Sequence, residues 1–500
     1  VPGWAWTLLV AAAYLPALAF RHDLVPAGLN NDAAEEALRG LRLVEEGRVE
    51  VFTVDLGAST ETLYLYLLGA SAKLVGPTTL AAHLPSFAFA LALLAVFPAL
   101  PRRLDPALPA WLPPLLPATS VWLYHYARSG LRAVAAPVCL AGFAILLDRA
   151  ERSPDRRLPA LLAGASLGLS LYVYTSCRIL PVAFAVHAGA RLLSGREGRR
   201  PLAAVYGLVL AGAAVVSVPN LTYLLQHPGE YLGRGGYALV AGPADAARHM
   251  AFTFLMPVYY PESYGFVKGQ AHVLDGVSAG LTSSGVSGVH PLVGIAFAAG
   301  LLAAWRRREE PLPSFLLSAW LTGSILLGFI GPSLTRLSIL LPVYLGIGAL
   351  GIGEARRRLP GGRRLCAAGI AVVLLTHAHG YFVTFPGTWY SQDDYFSPAQ
   401  TPMGQRARAL AGGGRRVVCV TGANASVLAY LTHDAPDRVR IVEFYERPLD
   451  PREIPLETFR PDVLLVEKRK TFARFIERFP PGRRRGAHPR FEEIALGEAP

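Results

Sequence analysis

Apolar stretches of about 17–22 residues recur from the start of the chain to about position 385, each long enough for a bilayer core of roughly 30 Å. The pattern predicts spans near 4–20, 63–75, 80–100, 133–147, 158–174, 179–193, 202–218, 292–305, 315–330, 337–353 and 365–385. Between 107 and 127 the prolines Pro109, Pro113, Pro114 and Pro117 rule out a straight helix, and two short helical pieces that dip in and return are expected. Depending on how this stretch is counted, there are about twelve to thirteen crossings. Two long polar loops, 21–62 and 219–291, interrupt the apolar rhythm.

The first loop has structure of its own. Ala34, Leu38, Leu41 and Val44 recur at three- and four-residue spacing among Glu and Arg, which predicts a helix over 32–46 lying along the membrane surface. Residues 49–56 are β-branched and read as extended. After 386 the chain regains ordinary charge. Strand-like runs at 415–421, 439–444 and 462–467 alternate with helical patterns at 425–432 and 471–479, which predicts a small α/β unit. The fold class is therefore mainly α: a polytopic helical domain over 1–385, followed by an α/β domain over 386–500.

Composition refines this picture. The chain is 52% hydrophobic and only 17% charged, against about 25% charged in an average soluble domain. The net charge of +12 does not signal nucleic-acid binding, because much of it lies in short loops between apolar runs. Only Lys73, Lys268, Lys468 and Lys470 are lysines; the other basic residues are arginines. Arginine clusters at 149–157, 191–200, 306–308 and 356–364 place those loops in the cytoplasm by the positive-inside rule. Both long loops and the C-terminal domain then face outward, in a multi-pass protein of the inner (plasma) membrane. Arg102 and Arg103 conflict with this count, which places their turn outside. The first apolar run lacks a basic leader and a clear cleavage site, so it reads as a retained span. Cys139, Cys177, Cys366 and Cys419 have no CxxC spacing and suggest neither a zinc site nor a disulfide framework.

The candidate chemistry lies in the outward loops. The first carries Asp32, Glu35, Glu36, Glu45, Glu46, Glu50, Asp55 and Glu61; the second carries His249 and His272. Arg128, Arg132, Arg178, Arg234, Arg248 and Arg336 stand apart from the clusters, near outer span ends. Ionisable residues at such depth commonly serve a site or a buried pair. Sugar transfer from a polyprenyl-phosphate carrier uses every one of these parts. The tail needs an apolar groove, the leaving phosphate needs arginine, and the acceptor hydroxyl needs a carboxylate base.

The order of these elements resembles the glycosyltransferase C superfold, in the branch holding bacterial protein O-mannosyltransferases and lipid A aminoarabinose transferases. The segments that carry the resemblance are Gly28-Leu29-Asn30-Asn31-Asp32, then STETLYLYL with Glu61, YHYARSGLRAVAAP (124–137), SLGLSLYVYTSCRILP (166–181) and GPSLTRLSILLP with Arg336. It implies an inverting transferase with Asp32 as the catalytic base. Arg128, Arg132, Arg336, Glu61 and His272 would surround the substrate and its phosphate. In relatives a divalent metal has been placed near such residues, which makes Glu61 and His272 the metal candidates here. The implied partners are a polyprenyl-phosphate-linked sugar, a lipid, glycan or protein acceptor, and membrane lipids. Ala33 departs from the pattern, since a second acid usually stands there. Two other readings stay open: a transporter or lipid flippase, and a catalytically inactive relative acting in envelope assembly.

Overall fold

The computed structural model describes residues 2–55, 58–194, 198–236, 242–255, 290–329, 334–387, 397–444, 449–484 and 488–496. It is mainly helical, and the helices connect two chemically distinct ends. In chain order they are α1 (Gly3–Ala19), α2 (Asn31–Glu45), α3 (Leu63–Val75), α4 (Thr79–Val96), α5 (Ala99–Leu104), α6 (Leu112–Ala118), α7 (Val121–Arg128), α8 (Ala135–Arg152), α9 (Arg157–Ser170), α10 (Ile179–Ser194), α11 (Arg199–Gln226), α12 (Pro228–Gly236) and α13 (Pro243–Leu255). Then follow α14 (Pro291–Arg306), α15 (Pro311–Phe329), α16 (Leu334–Leu337), α17 (Leu341–Arg358) and α18 (Gly362–His379). Among the described residues, seven helical stretches are long and apolar enough to cross a membrane: Thr79–Leu104, Arg132–Arg152, Thr175–Ser194, Arg199–Gln226, Pro311–Phe329, Thr335–Arg358 and Gly362–Thr384. The chain is a multi-pass membrane protein.

One end of the bundle is rich in arginine. Asp148 takes Arg103 at 2.8 Å and Arg152 at 2.7 Å; Arg307 reaches the Leu104 carbonyl at 2.6 Å, and Arg357 reaches Asp105 at 2.6 Å. Glu151 is buried between His187 (2.7 Å) and Arg191 (3.2 Å). Arg102 and Arg103 thus belong with the other clusters, which resolves the conflict seen in the sequence. Removing one partner of a buried pair strands the other charge, at a cost of about 3–5 kcal/mol. Glu151→Ala is therefore expected to lower the thermal midpoint of the detergent-solubilised protein markedly, as circular dichroism would show.

Two sequence expectations are corrected here. The proline-broken stretch does not dip and return. Arg102 bonds the Ala110 carbonyl just before α6, while Arg128 at the end of α7 binds the far end of α1. So α6 and α7 lie in series and make one pass, with the Ser120 hydroxyl capping α7 at the joint (3.2 Å). The apolar run over 63–75 is not a crossing either. It starts at the acidic end, beside Glu61, and finishes at Gly76-Pro77, where Arg408 holds the Pro77 carbonyl at 3.1 Å. At about 1.5 Å per residue, thirteen residues are also too short for the core. Instead α3 packs backbone to backbone on α2. A Cβ on Gly40 would collide with the Leu65 carbonyl, and one on Gly69 with the Gly40 carbonyl.

The C-terminal residues form a four-stranded sheet, order β4-β3-β5-β6, after a separate hairpin of β1 (Phe52–Asp55) and β2 (Ala58–Glu61) in the first loop. β3 (Val417–Thr421) is parallel to β4 (Val439–Glu443) and β5 (Val463–Glu467), and β6 (Phe491–Ala495) is antiparallel to β5. β3 and β5 are buried on both faces, as their unbroken apolar runs require. Met403 and Ala407 of α19 (Gln400–Gly412) and Leu428 of α20 (Ser426–Leu431) cover one face. Phe444, Phe472 and Phe475 cover the other. α20 docks on the first loop: Val427, Tyr430 and Leu431 share a core with Ala33, Ala34, Ala37 and Leu41 of α2, and the Tyr430 hydroxyl donates to the Thr78 carbonyl (3.1 Å).

Candidate active site

The acids of the first loop enter from α2 and from β2. Asn30, fully buried, caps α2 by accepting from the Ala33 amide at 3.2 Å. Asp32 is therefore not the cap. It lies exposed in the first helical turn, where the helix dipole favours a carboxylate. Glu36, one turn further on the same face, meets Arg132 Nε at 2.8 Å through Oε1. Glu35 turns the other way and pairs with Arg39 on the surface. Ala33 is fully buried, and Gly130 packs so closely that a Cβ there would meet the Ala33 methyl, the His83 ring and the Ala82 carbonyl. Position 33 is thus a packing position, and Glu36 is the acid of α2 that meets Arg132.

Glu61 ends β2 and has no exposed surface. Its Oε2 accepts from Arg132 Nη1 at 3.2 Å. Its Oε1 accepts from Thr175 Oγ1 at 2.9 Å and Arg178 Nη2 at 3.1 Å. Both arginines sit on 3-10 turns, Arg132–Val134 and Thr175–Arg178, that open α8 and α10. A cation at a helix start opposes the helix dipole; Glu36 and Glu61 offset that here. Aromatic rings floor both guanidinia: Tyr174 lies 5.3 Å from Arg132, and Tyr231 of α12 lies 3.9 Å from Arg178. Arg178 also donates to the Tyr231 carbonyl at 2.8 Å. Arg132 feels the charge of Asp32 as well as of its two direct partners.

Of the remaining sequence candidates, Arg336 is half-buried on α16, which packs beside the Thr175–Arg178 turn. The next turn ties this segment to that of Arg132, since Ser338 Oγ donates to the Ala133 carbonyl at 3.1 Å. Arg128 is placed differently from expectation. It is fully buried, and its guanidinium donates to the carbonyls of Ala17 (2.9 Å), Leu18 (2.8 Å), Phe20 (2.7 Å), Arg21 (2.8 Å) and Val25 (2.8 Å). These carbonyls lie in the last turn of α1 and the loop after it, where helix-end acceptors need partners from outside the helix. Arg128 caps α1, whereas Arg132 enters the acidic cluster. His272 lies outside the described residues, and the side chains of Arg234, Arg248 and His249 are not among those described.

Among the described residues, the surroundings of Glu61 do not fit a metal ion at that carboxylate. Three donors already engage its two oxygens, and two of them carry full positive charge. A divalent ion at Glu61 would have to compete with both guanidinia for the same two oxygens. Among the described residues no group of three or more His, Cys, Asp or Glu side chains gathers to hold a metal ion.

The C-terminal unit grips this loop from above. The Leu29 amide donates to Thr401 Oγ1 at 2.9 Å, Ser397 Oγ bonds Asn31 Oδ1, and His433 meets Glu45 at 2.9 Å. Thr401→Val would strand the buried Leu29 amide, a loss of about 1–3 kcal/mol. It is expected to lower the thermal midpoint of the detergent-solubilised protein by a few degrees, as circular dichroism would show. Elsewhere, an apolar groove of about 520 Å³ runs between α14, α17 and α18, with Arg306 and Arg358 on its rim. It shares no residue with the acidic cluster.

This fold is similar to that of two solved membrane proteins. Along 99% of its length the chain superposes on ArnT from Cupriavidus metallidurans, covering 98% of that protein, both in the apo state (TM-score 0.58, 13% identity) and bound to undecaprenyl phosphate (0.59, 12%). It also matches the archaeal oligosaccharyltransferase AglB from Archaeoglobus fulgidus in complex with an inhibitory peptide and a dolichol-phosphate, over 93% of this chain and 69% of that one (0.52, 11%). The same oligosaccharyltransferase in complex with Zn and sulfate superposes at TM-score 0.51 with 12% identity, over 92% of this chain and 68% of that one. At these identities the likeness is one of fold. Neither a protein-family model nor a curated protein sequence matches the chain.

Proposed function

We propose that the chain is an integral-membrane glycosyltransferase that moves a sugar from a polyprenyl-phosphate donor to an acceptor on the extracytoplasmic side, with inversion. The observation that carries this reading is the meeting of acids from one polar loop with arginines from two distant helix starts. They meet at the end of the bundle opposite the arginine-rich end. By the positive-inside rule the acidic end and the C-terminal unit face outward. The fold likeness to an enzyme solved with undecaprenyl phosphate supports the donor class.

In this reading Asp32, exposed beside the cluster, takes the proton of the acceptor hydroxyl as the sugar carbon gains cationic character. Arg132, Arg178 and Arg336 carry the charge of the departing phosphate; Arg128 only holds α1 in place. Attack from the face opposite the phosphate inverts the anomeric centre, by the logic of inverting glycoside hydrolysis. Tyr174 and Tyr231 keep two of the guanidinia aligned without lowering their charge. Glu36 restores the second carboxylate missing at position 33, which favours an active enzyme over an inert relative. The acceptor class spans lipid, glycan and protein.

Thermal unfolding of the purified chain in detergent tests the donor class. Undecaprenyl phosphate is expected to raise the midpoint saturably, because a ligand bound only by the native state adds RT ln(1 + [L]/Kd). Undecaprenol, which lacks the phosphate, is expected not to. Equal shifts from both lipids, or no shift from either, would count against the reading.

A further inference from the structure

We propose that Arg178 is the built-in cation beside Glu61, so that this carboxylate, among the described residues, binds no metal ion. The inference rests on the donor-phosphate reading given above, but its first test does not depend on it. The geometry around Arg178 is that of a fixed charge. Nη2 bonds Glu61 Oε1 at 3.1 Å, Nη1 bonds the Tyr231 carbonyl at 2.8 Å, and the Tyr231 ring lies 3.9 Å from the guanidinium carbon. Phe52 closes a further side at 5.9 Å. Four contacts from three elements orient one side chain.

One donor is left over. Arg178 Nε is buried and has no partner among the described residues. A buried N–H without an acceptor costs about 1–3 kcal/mol. An incoming phosphate oxygen would relieve that cost and gain a charge-assisted bond. Glu61 is then a positioning residue: it holds Arg132 and Arg178 at one carboxylate and so keeps two guanidinia side by side despite their repulsion. A metal would perform the same electrostatic task by different means, yet it would compete with both guanidinia for the same carboxylate. This chain has filled the place with side chains.

The first test is metal content. The full chain, purified in detergent, is incubated with ZnCl2 or MnCl2, desalted and analysed by inductively coupled plasma mass spectrometry, alongside Glu61→Gln. The expected result is the same small, substoichiometric content in both proteins. About one ion per chain in the parent that is lost in Glu61→Gln would overturn the proposal. The second test is undecaprenyl phosphate binding with and without EDTA. The parent is expected to bind equally well in both. Arg178→Gln is expected to bind at least tenfold more weakly, and Arg178→Lys to recover part of the loss, as a charge without the planar fork should. EDTA-sensitive binding by the parent, or unchanged binding by a folded Arg178→Gln protein, would also overturn it. If the parent binds no undecaprenyl phosphate under any condition, the donor reading fails, while the metal result stands or falls separately.

Discussion

Asp32→Asn is expected to lower sugar transfer by about 10²- to 10⁴-fold, the usual range for loss of a general base, while leaving the protein folded and the donor bound. The structure separates these effects. Asp32 is exposed, and the buried Asn30 side chain caps α2. An amide at position 32 therefore removes a base without removing a cap. The guanidinia that would hold the phosphate are anchored by Glu36 and Glu61. A loss confined to turnover, with the undecaprenyl phosphate shift intact, is the expected signature. A comparable loss of donor affinity would place Asp32 among the binding groups instead.

Arg128→Ala is expected to have the opposite signature: a large loss of stability with little effect on phosphate binding by whatever protein remains folded. Five backbone carbonyls at the end of α1 and just beyond it accept from this one guanidinium, and only those of Ala17 and Arg21 have another donor among the described residues. Hydrogen bonds to a charged group contribute about 1.5–3 kcal/mol each, and not additively. Even two of them lost amounts to much of a typical net stability of 5–15 kcal/mol. The expected outcome is a sharp drop in yield and thermal midpoint. Arg132→Gln, four residues on, is expected to weaken undecaprenyl phosphate binding instead. A stable Arg128→Ala protein that had lost the lipid would return Arg128 to the phosphate site.

The contrast between Arg128 and Arg132 marks the limit of what the sequence reveals. Both are isolated arginines at a predicted outer span end, and four-residue spacing places them on one face of a helix. Yet the helix breaks between them at Gly130, whose φ of +73° turns the chain, so that one guanidinium faces α1 and the other faces Glu61. No local pattern announces that. Leu63–Val75 misleads for a related reason: Tyr64, Leu65, Leu68 and Ala72 share a core with α2 and α20, and hydropathy cannot tell such a core from lipid. Glu36 was legible in principle, since it lies one helical turn from Asp32, but its neighbours Glu35 and Arg39 give α2 the look of a solvated surface helix. Thr175 and Arg178 share a 3-10 turn within the segment that carried the resemblance, though only the fold shows that they meet Glu61.

Other features followed directly from pattern. The strands Val417–Thr421, Val439–Glu443 and Val463–Glu467 lie where β-branched runs placed them. The strand Phe491–Ala495 does not show in the sequence, because FEEIA carries two adjacent acids; both are buried at the sheet edge, Glu493 against Arg406 (2.9 Å) and Glu492 against Lys468 (3.0 Å). The polar loop was legible because acids between apolar runs need a reason to be there. Its partners were not, because they come from 71 to 117 residues away.

The central claim is that this acidic cluster transfers sugar with Asp32 as base. It is tested most directly by mass spectrometry of cell-envelope glycans, glycolipids and glycoproteins from cells that carry the gene, lack it, or carry Asp32→Asn at equal protein level. The account predicts a hexose- or pentose-sized mass difference that disappears with the gene and stays absent with Asp32→Asn. An envelope in which Asp32→Asn restores the parental glycan in full would contradict it.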